Sequence, residues 1–86
     1  MKKKIAILGS TGSIGKTFLK ILKKDIINNE IILLSANHNI KELLNQLKTF
    51  KVKNVIITNK KNYLFLKNKF KKKKINIFNN FNAIKI

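Results

Sequence analysis

The stretch Lys4-Ile-Ala-Ile-Leu-Gly-Ser-Thr-Gly-Ser-Ile-Gly-Lys-Thr-Phe18 decides the fold. Ile5 to Leu8 form a short unbroken apolar run, the pattern of a strand buried in a parallel sheet. Glycines follow at Gly9, Gly12 and Gly15. Ile14, Phe18, Ile21 and Leu22 then recur at helical spacing, with Lys16, Lys20, Lys23 and Lys24 on the opposite face. That apolar face is expected to turn inward. Strand, glycine turn and helix, in this order, are the opening unit of a dinucleotide-binding fold.

The chemistry of the turn identifies the candidate residues. Gly9 lets the chain leave the strand in a bend that a side chain would obstruct. Gly12 removes a Cβ where a pyrophosphate comes close to the backbone, and Gly15 lets the helix pack tightly on the strand. The first N–H groups of the helix have no partner inside it, and the helix dipole favours an anion there. Gly9, Ser10, Thr11, Gly12, Ser13, Ile14 and Gly15 are therefore the candidate pyrophosphate cradle, with Thr11 and Ser13 adding hydroxyl donors. A competing reading takes Gly15-Lys16-Thr17 as the end of a triphosphate-binding loop. That register puts Ser10 where the motif needs its first glycine, and Asn54 to Thr58 supplies no Asp for magnesium.

Composition bounds the remaining classes. Eighty-six residues suffice for one small domain with a marginal core. There is no cysteine, so disulfides and thiolate metal sites are excluded. The basic start Met-Lys-Lys-Lys is followed by an apolar run too short for a signal peptide or a membrane span, and a cytoplasmic location is expected. The net charge is +17, and every basic residue is lysine. A small nucleic-acid-binding protein is the alternative that this charge suggests. Against it, the lysines are spread along the chain, they are not interleaved with aromatics, and arginine is absent. Lys, Asn and Ile dominate, and all three can be encoded by A and T alone, which makes an AT-rich genome the simpler source of the charge.

Along the chain, Ile31 to Leu34 read as a second strand, and Ile40, Leu43, Leu44, Leu47 and Phe50 as the inner face of a second helix. Lys41, Glu42, Asn45, Gln46 and Lys48 fall opposite, and Asn39 with Glu42 makes a capping box. Val55, Ile56 and Ile57 centre a third strand. Tyr63, Leu66 and Phe70 mark a third helix, and Ile75 to Phe78 begin a fourth strand. The lysine run Lys71 to Lys74 repels itself and reads as a solvated loop or fraying helix end. The expected fold is α/β: a partial Rossmann-like parallel sheet, βαβαβαβ, over residues 1–86, the N-terminal half of a dinucleotide-binding domain. Its first strand would be an open edge, prone to aggregation or to pairing with another piece.

The end of the second strand bears on the cofactor. An NAD-binding domain usually carries Asp or Glu there, to hold the ribose hydroxyls. Here Ala36, Asn37, His38 and Asn39 follow Ser35, and Glu30 lies at the wrong end of the strand. With no carboxylate to repel it, a 2′-phosphate is admissible, and Asn37, His38 and Asn39 can donate hydrogen bonds to it. NADP(H) is expected over NAD(H). The competing readings are a helix cap for Asn39 and an exposed loop histidine for His38.

Ile7-Leu-Gly-Ser-Thr-Gly-Ser-Ile-Gly15 resembles the N-terminal signature of the 1-deoxy-D-xylulose 5-phosphate reductoisomerases. Leu34-Ser-Ala-Asn-His-Asn-Ile40 is similar to that family's Leu-x-Ala-Gly-(Lys/Arg)-Asn-Val segment, with Asn37 and His38 as departures. Phe50 to Thr58 is similar to the stretch that follows, without its proline. The resemblance implies NADPH as cofactor, with contacts at Thr11, Gly12, Ser13 and Ile14 and along Asn37, His38 and Asn39. For the full-length enzyme it implies a divalent metal (Mg or Mn), a sugar-phosphate substrate, a homodimer and a role in non-mevalonate isoprenoid synthesis, with no membrane or specific nucleic-acid partner. The family's metal-binding acids and substrate site would lie beyond Ile86. Asp25, Glu30 and Glu42 are the only acids here, and no catalytic or metal-ligating residue is assigned. These residues alone are expected to be inactive. The match weakens after Lys71 to Lys74, where an adenine-rich tract invites a frameshift.

Overall fold

The computed structural model describes residues 2–83, so residues 1 and 84–86 of the expected span lie outside the described residues. The elements follow in the order β1 (Lys3–Ile7), α1 (Ser13–Lys23), β2 (Asn29–Ala36), α2 (Ile40–Thr49), β3 (Asn54–Ile57), α3 (Lys60–Lys69) and β4 (Asn76–Phe78). A short 3-10 turn spans Phe81–Ala83. Every strand pairing is parallel, and the sheet order is β1-β2-β3-β4. Each crossover therefore steps in the same direction, and right-handed connections bring all three helices to one face.

The core is the layer between that face and the helices. Leu19 and Leu22 of α1, Leu43 of α2 and Leu66 of α3 pack with Ile7, Ile31, Leu34, Val55, Ile57 and Ile77. Tyr63 and Phe70 pack against it from α3, in line with their spacing. Leu34, Leu43, Val55, Ile57 and Leu66 are fully buried. Each such aliphatic side chain contributes about 1.5–3 kcal/mol by leaving water, which is how a chain this short holds a single core. Lys71 to Lys74 form an exposed turn after α3.

Two helical faces differ from the periodicity reading. The inner stripe of α1 is Gly15, Leu19 and Leu22, whereas Ile14, Phe18 and Ile21 are 86%, 43% and 60% exposed. The helix carries an apolar arc wider than one stripe, and Gly15 decides its rotation. A Cβ at Gly15 would stand 2.4 Å from the Gly9 carbonyl oxygen and 2.7 Å from Ser10 Cα, so this face alone can lie against the turn. Leu19 and Leu22 follow four and seven positions later on the same side. In α2, Gln46 is buried, although the helical spacing puts it on the polar face with Lys41, Glu42, Asn45 and Lys48. The Asn39 cap forms, with Asn39 Oδ1 accepting from Glu42 N at 3.3 Å. The Glu42 carboxylate, instead of closing the capping box, accepts from Gln46 Nε2 at 3.3 Å.

Candidate functional site

The first strand delivers the chain to Gly9, which takes φ +72°, a left-handed conformation that costs a side-chain-bearing residue about 1–2 kcal/mol. The loop that follows is held from two directions. From β2, Ser35 Oγ accepts from Gly9 N at 2.9 Å, and Ser35 O accepts from Ser10 N at 2.8 Å. From α2, Gln46 Nε2 donates to Ser10 O at 2.8 Å. Ser10 is fully buried, so it anchors the loop from inside and its side chain faces no solvent. In the triphosphate-loop register Ser10 would stand in the motif's first position, which calls for glycine.

Beyond Ser10 the polar groups turn outward. Gly12, Ser13 and Ile14 are exposed, and Thr11 is half-buried. Gly12 N donates back to Gly9 O at 3.1 Å, which closes the turn. The amides of Thr11, Ser13 and Ile14 have no backbone partner among the described residues. The N-terminus of α1 also lacks a side-chain cap, whereas Asn39 caps α2 and Asn59 caps α3. Unsatisfied N–H groups, an exposed loop and the positive end of a helix together suit an anion. Lys16 is exposed on α1, and the Thr17 hydroxyl donates to Ser13 O at 3.0 Å.

Asn37, His38 and Asn39 leave the end of β2, which pairs with β1 in parallel, so they share one edge of the sheet with the Gly9–Gly15 loop. Ser35 ties the two together, two residues before Asn37. The β3–α3 turn fixes this second loop. Thr58 Oγ1 donates to Asn37 Oδ1 at 2.8 Å, Asn59 N donates to Asn37 O at 3.0 Å, and Asn62 Nδ2 donates to His38 O at 2.9 Å. The Asn37 Nδ2 donors have no partner among the described residues, and the His38 side chain is exposed. Ser35, Gln46, Thr58 and Asn62 are supporting residues that the sequence reading did not single out. The one signal available was Gln46, a polar residue three positions after Leu43 and four before Phe50.

A family model described as 1-deoxy-D-xylulose 5-phosphate reductoisomerase matches residues 5–85. The chain belongs to this family. A reductoisomerase from Pelagibacter ubique is 50% identical over 82 residues, which cover 95% of this chain and 21% of that protein. A reductoisomerase from Buchnera aphidicola subsp. Schizaphis graminum is 44% identical over 73 residues, covering 85% of this chain and 18% of that one. The solved reductoisomerase from Zymomonas mobilis, in complex with NADPH, superposes with a TM-score of 0.81 at 27% identity over 91% of this chain and 21% of its own. The chain thus spans about a fifth of the length of the curated reductoisomerases it matches, up to 21%. Among the described residues no three His, Asp or Glu side chains gather into a metal-binding group, and no helix is long and apolar enough to cross a membrane.

Proposed function

We propose that this chain is the first part of the NADPH-binding domain of a cytoplasmic 1-deoxy-D-xylulose 5-phosphate reductoisomerase. Its pyrophosphate cradle is Gly9, Ser10, Thr11, Gly12, Ser13, Ile14 and Gly15, and its 2′-phosphate reader is Asn37, His38 and Asn39. The observation that carries the reading is the uncapped N-terminus of α1, with the Thr11, Ser13 and Ile14 amides unpartnered among the described residues, beside a glycine-lined turn. These amides and the dipole of α1 hold the pyrophosphate. Gly12 leaves it room, and Ser10 acts from within as the loop's anchor. Asn37 Nδ2, free because Thr58 occupies Oδ1, donates to the 2′-phosphate. The similarity to the NADPH complex from Zymomonas mobilis supports the choice of cofactor.

When bound, NADPH supplies a hydride. In the complete, homodimeric enzyme that hydride reduces the aldehyde formed by rearrangement of the sugar phosphate, and 2-C-methyl-D-erythritol 4-phosphate results. Asp25, Glu30 and Glu42 do not assemble a donor set for the divalent metal that the family implies. The residues of this chain bind and orient the cofactor without performing the chemistry alone.

Titration of the chain with NADPH, followed by its nicotinamide fluorescence, tests the reading. Gly12→Ala should weaken binding about tenfold or more, equivalent to about 1.4 kcal/mol. NADH should bind more weakly than NADPH. Association that ignores Gly12→Ala and vanishes steeply with salt would instead mark non-specific polyanion binding by a lysine-rich surface.

A further inference from the structure

We infer that Gln46 is a positioning residue that orients the Ser10–Thr11 peptide plane, turning the Thr11 N–H outward to the ligand. The inference rests on the cofactor reading above and names the device that prepares its phosphate loop. In a trans peptide the carbonyl and the following N–H point in opposite directions. No cis peptide occurs among the described residues, so Ser10 O and Thr11 N–H are opposite ends of one rigid unit. Gln46 Nε2 holds the Ser10 carbonyl inward at 2.8 Å, across thirty-six positions of sequence. The Thr11 N–H, with no backbone partner among the described residues, is then directed away from the core.

The amide orientation of Gln46 is settled by its neighbours. Nε2 lies within reach of two acceptors, Ser10 O and Glu42 Oε2. The flipped amide would bring Oε1 against both oxygens. Glu42 thereby steadies the donor. Gln46 is 5% exposed, and among the described residues its Oε1 has no partner, nor has the buried Oγ of Ser10. A leucine at this position would bring no unsatisfied side-chain oxygen of its own into the core. What a leucine lacks is the donor for Ser10 O. Without it the carbonyl is free to rotate outward, and the same rotation swings the Thr11 N–H inward and sets an oxygen facing an anion.

Gln46→Met keeps length and packing and removes the donor, and Gln46→Glu keeps the shape. Ile77→Val serves as a control that lowers stability at a core site far from the loop. Two readouts are needed: amide hydrogen exchange in the ligand-free chain, and amide NMR shifts on titration with NADPH and with inorganic pyrophosphate. In both Gln46 variants the Gly9 and Ser10 amides should exchange about tenfold faster relative to Val55, Ile56 and Ile57. The Thr11 amide should lose its response to either ligand while Ser13 and Ile14 keep theirs, and affinity should fall about tenfold. In Ile77→Val, loop and core amides should accelerate together. Equal acceleration of loop and core in the Gln46 variants, or an intact Thr11 response, would overturn the proposal. So would loss of the folded circular dichroism signal in both variants, because a positioning role must be separable from folding. If wild type responds to neither ligand while the Gly9 and Ser10 exchange changes as stated, the cofactor reading fails and the positioning role stands.

Discussion

Gly12 and Gly15 sit three residues apart and face opposite fates on substitution. At Gly15 a Cβ meets backbone atoms at 2.4 Å and 2.7 Å, and backbone cannot swing aside as a side-chain end can. Gly15→Ala should therefore push α1 off the turn and lower stability by about 1–3 kcal/mol, read as a drop in denaturation midpoint. At Gly12 the added atom meets only Gly9 O, at 3.4 Å, and the backbone φ of −78° suits any residue. Gly12→Ala should move stability by no more than about 0.5 kcal/mol while it blocks the phosphate. A comparable loss of stability in both variants would show that the two glycines serve folding alike. Thr58 offers a third test. Thr58→Val removes the hydroxyl that holds Asn37 Oδ1 and lets the amide turn. The preference for NADPH over NADH should narrow in parallel titrations, and an unchanged ratio would remove Asn37 from 2′-phosphate recognition.

At the level of elements, helix ends carry the division between structure and site. Asn59 Oδ1 accepts from Asn62 N at 3.0 Å and so caps α3, while Asn62 Nδ2 reaches His38 O. Asn59→Ala should cost about 0.5–2 kcal/mol, measured by denaturant titration, and should loosen the His38 loop through Asn62. The N-terminus of α1 has no cap to lose. The seven strands and helices were legible because strand runs and helical repeats alternate with polar turns, and the Asn39 cap was legible from its spacing to Glu42. The inward faces were less so. Ile14, Phe18 and Ile21 repeat as regularly as Gly15, Leu19 and Leu22, and only the close approach at Gly15 separates the two stripes. Gln46 was missed because a polar side chain at a buried position is justified by its partner, and Ser10 lies thirty-six positions away.

Across the whole molecule the asymmetry is at β1. Among the described residues β1 pairs on one side only, with β2. Leu8, Ile14, Phe18 and Ile21 lie exposed beside it, while Lys3 and Lys4 stand exposed at the start of the strand. An unpaired edge with adjoining apolar side chains favours association. The charge of +17 opposes it at low salt, and screening weakens that opposition as salt rises. Ile21→Lys, at a side chain 60% exposed, should change stability by no more than about 0.5 kcal/mol and reduce self-association in sedimentation at high salt. An unchanged sedimentation profile would mean that this face takes no part in association.

The amino-acid order by itself determined the alternation of strands and helices, the parallel sheet that helical crossovers imply, and the glycine turn between β1 and α1. These follow from periodicity and backbone sterics, which act over a few residues. The tertiary structure alone decided which stripe of α1 is buried, that Ser10 faces inward, and that Ser35, Gln46 and Thr58 hold the two loops. The loop anchors depend on hydrogen bonds between residues 21 to 36 positions apart, and the buried stripe of α1 on the close approach of Gly15 to Gly9 and Ser10. Such hydrogen-bond partners exist only once the sheet has brought the segments together, and the approach at Gly15 only once α1 has packed on the turn.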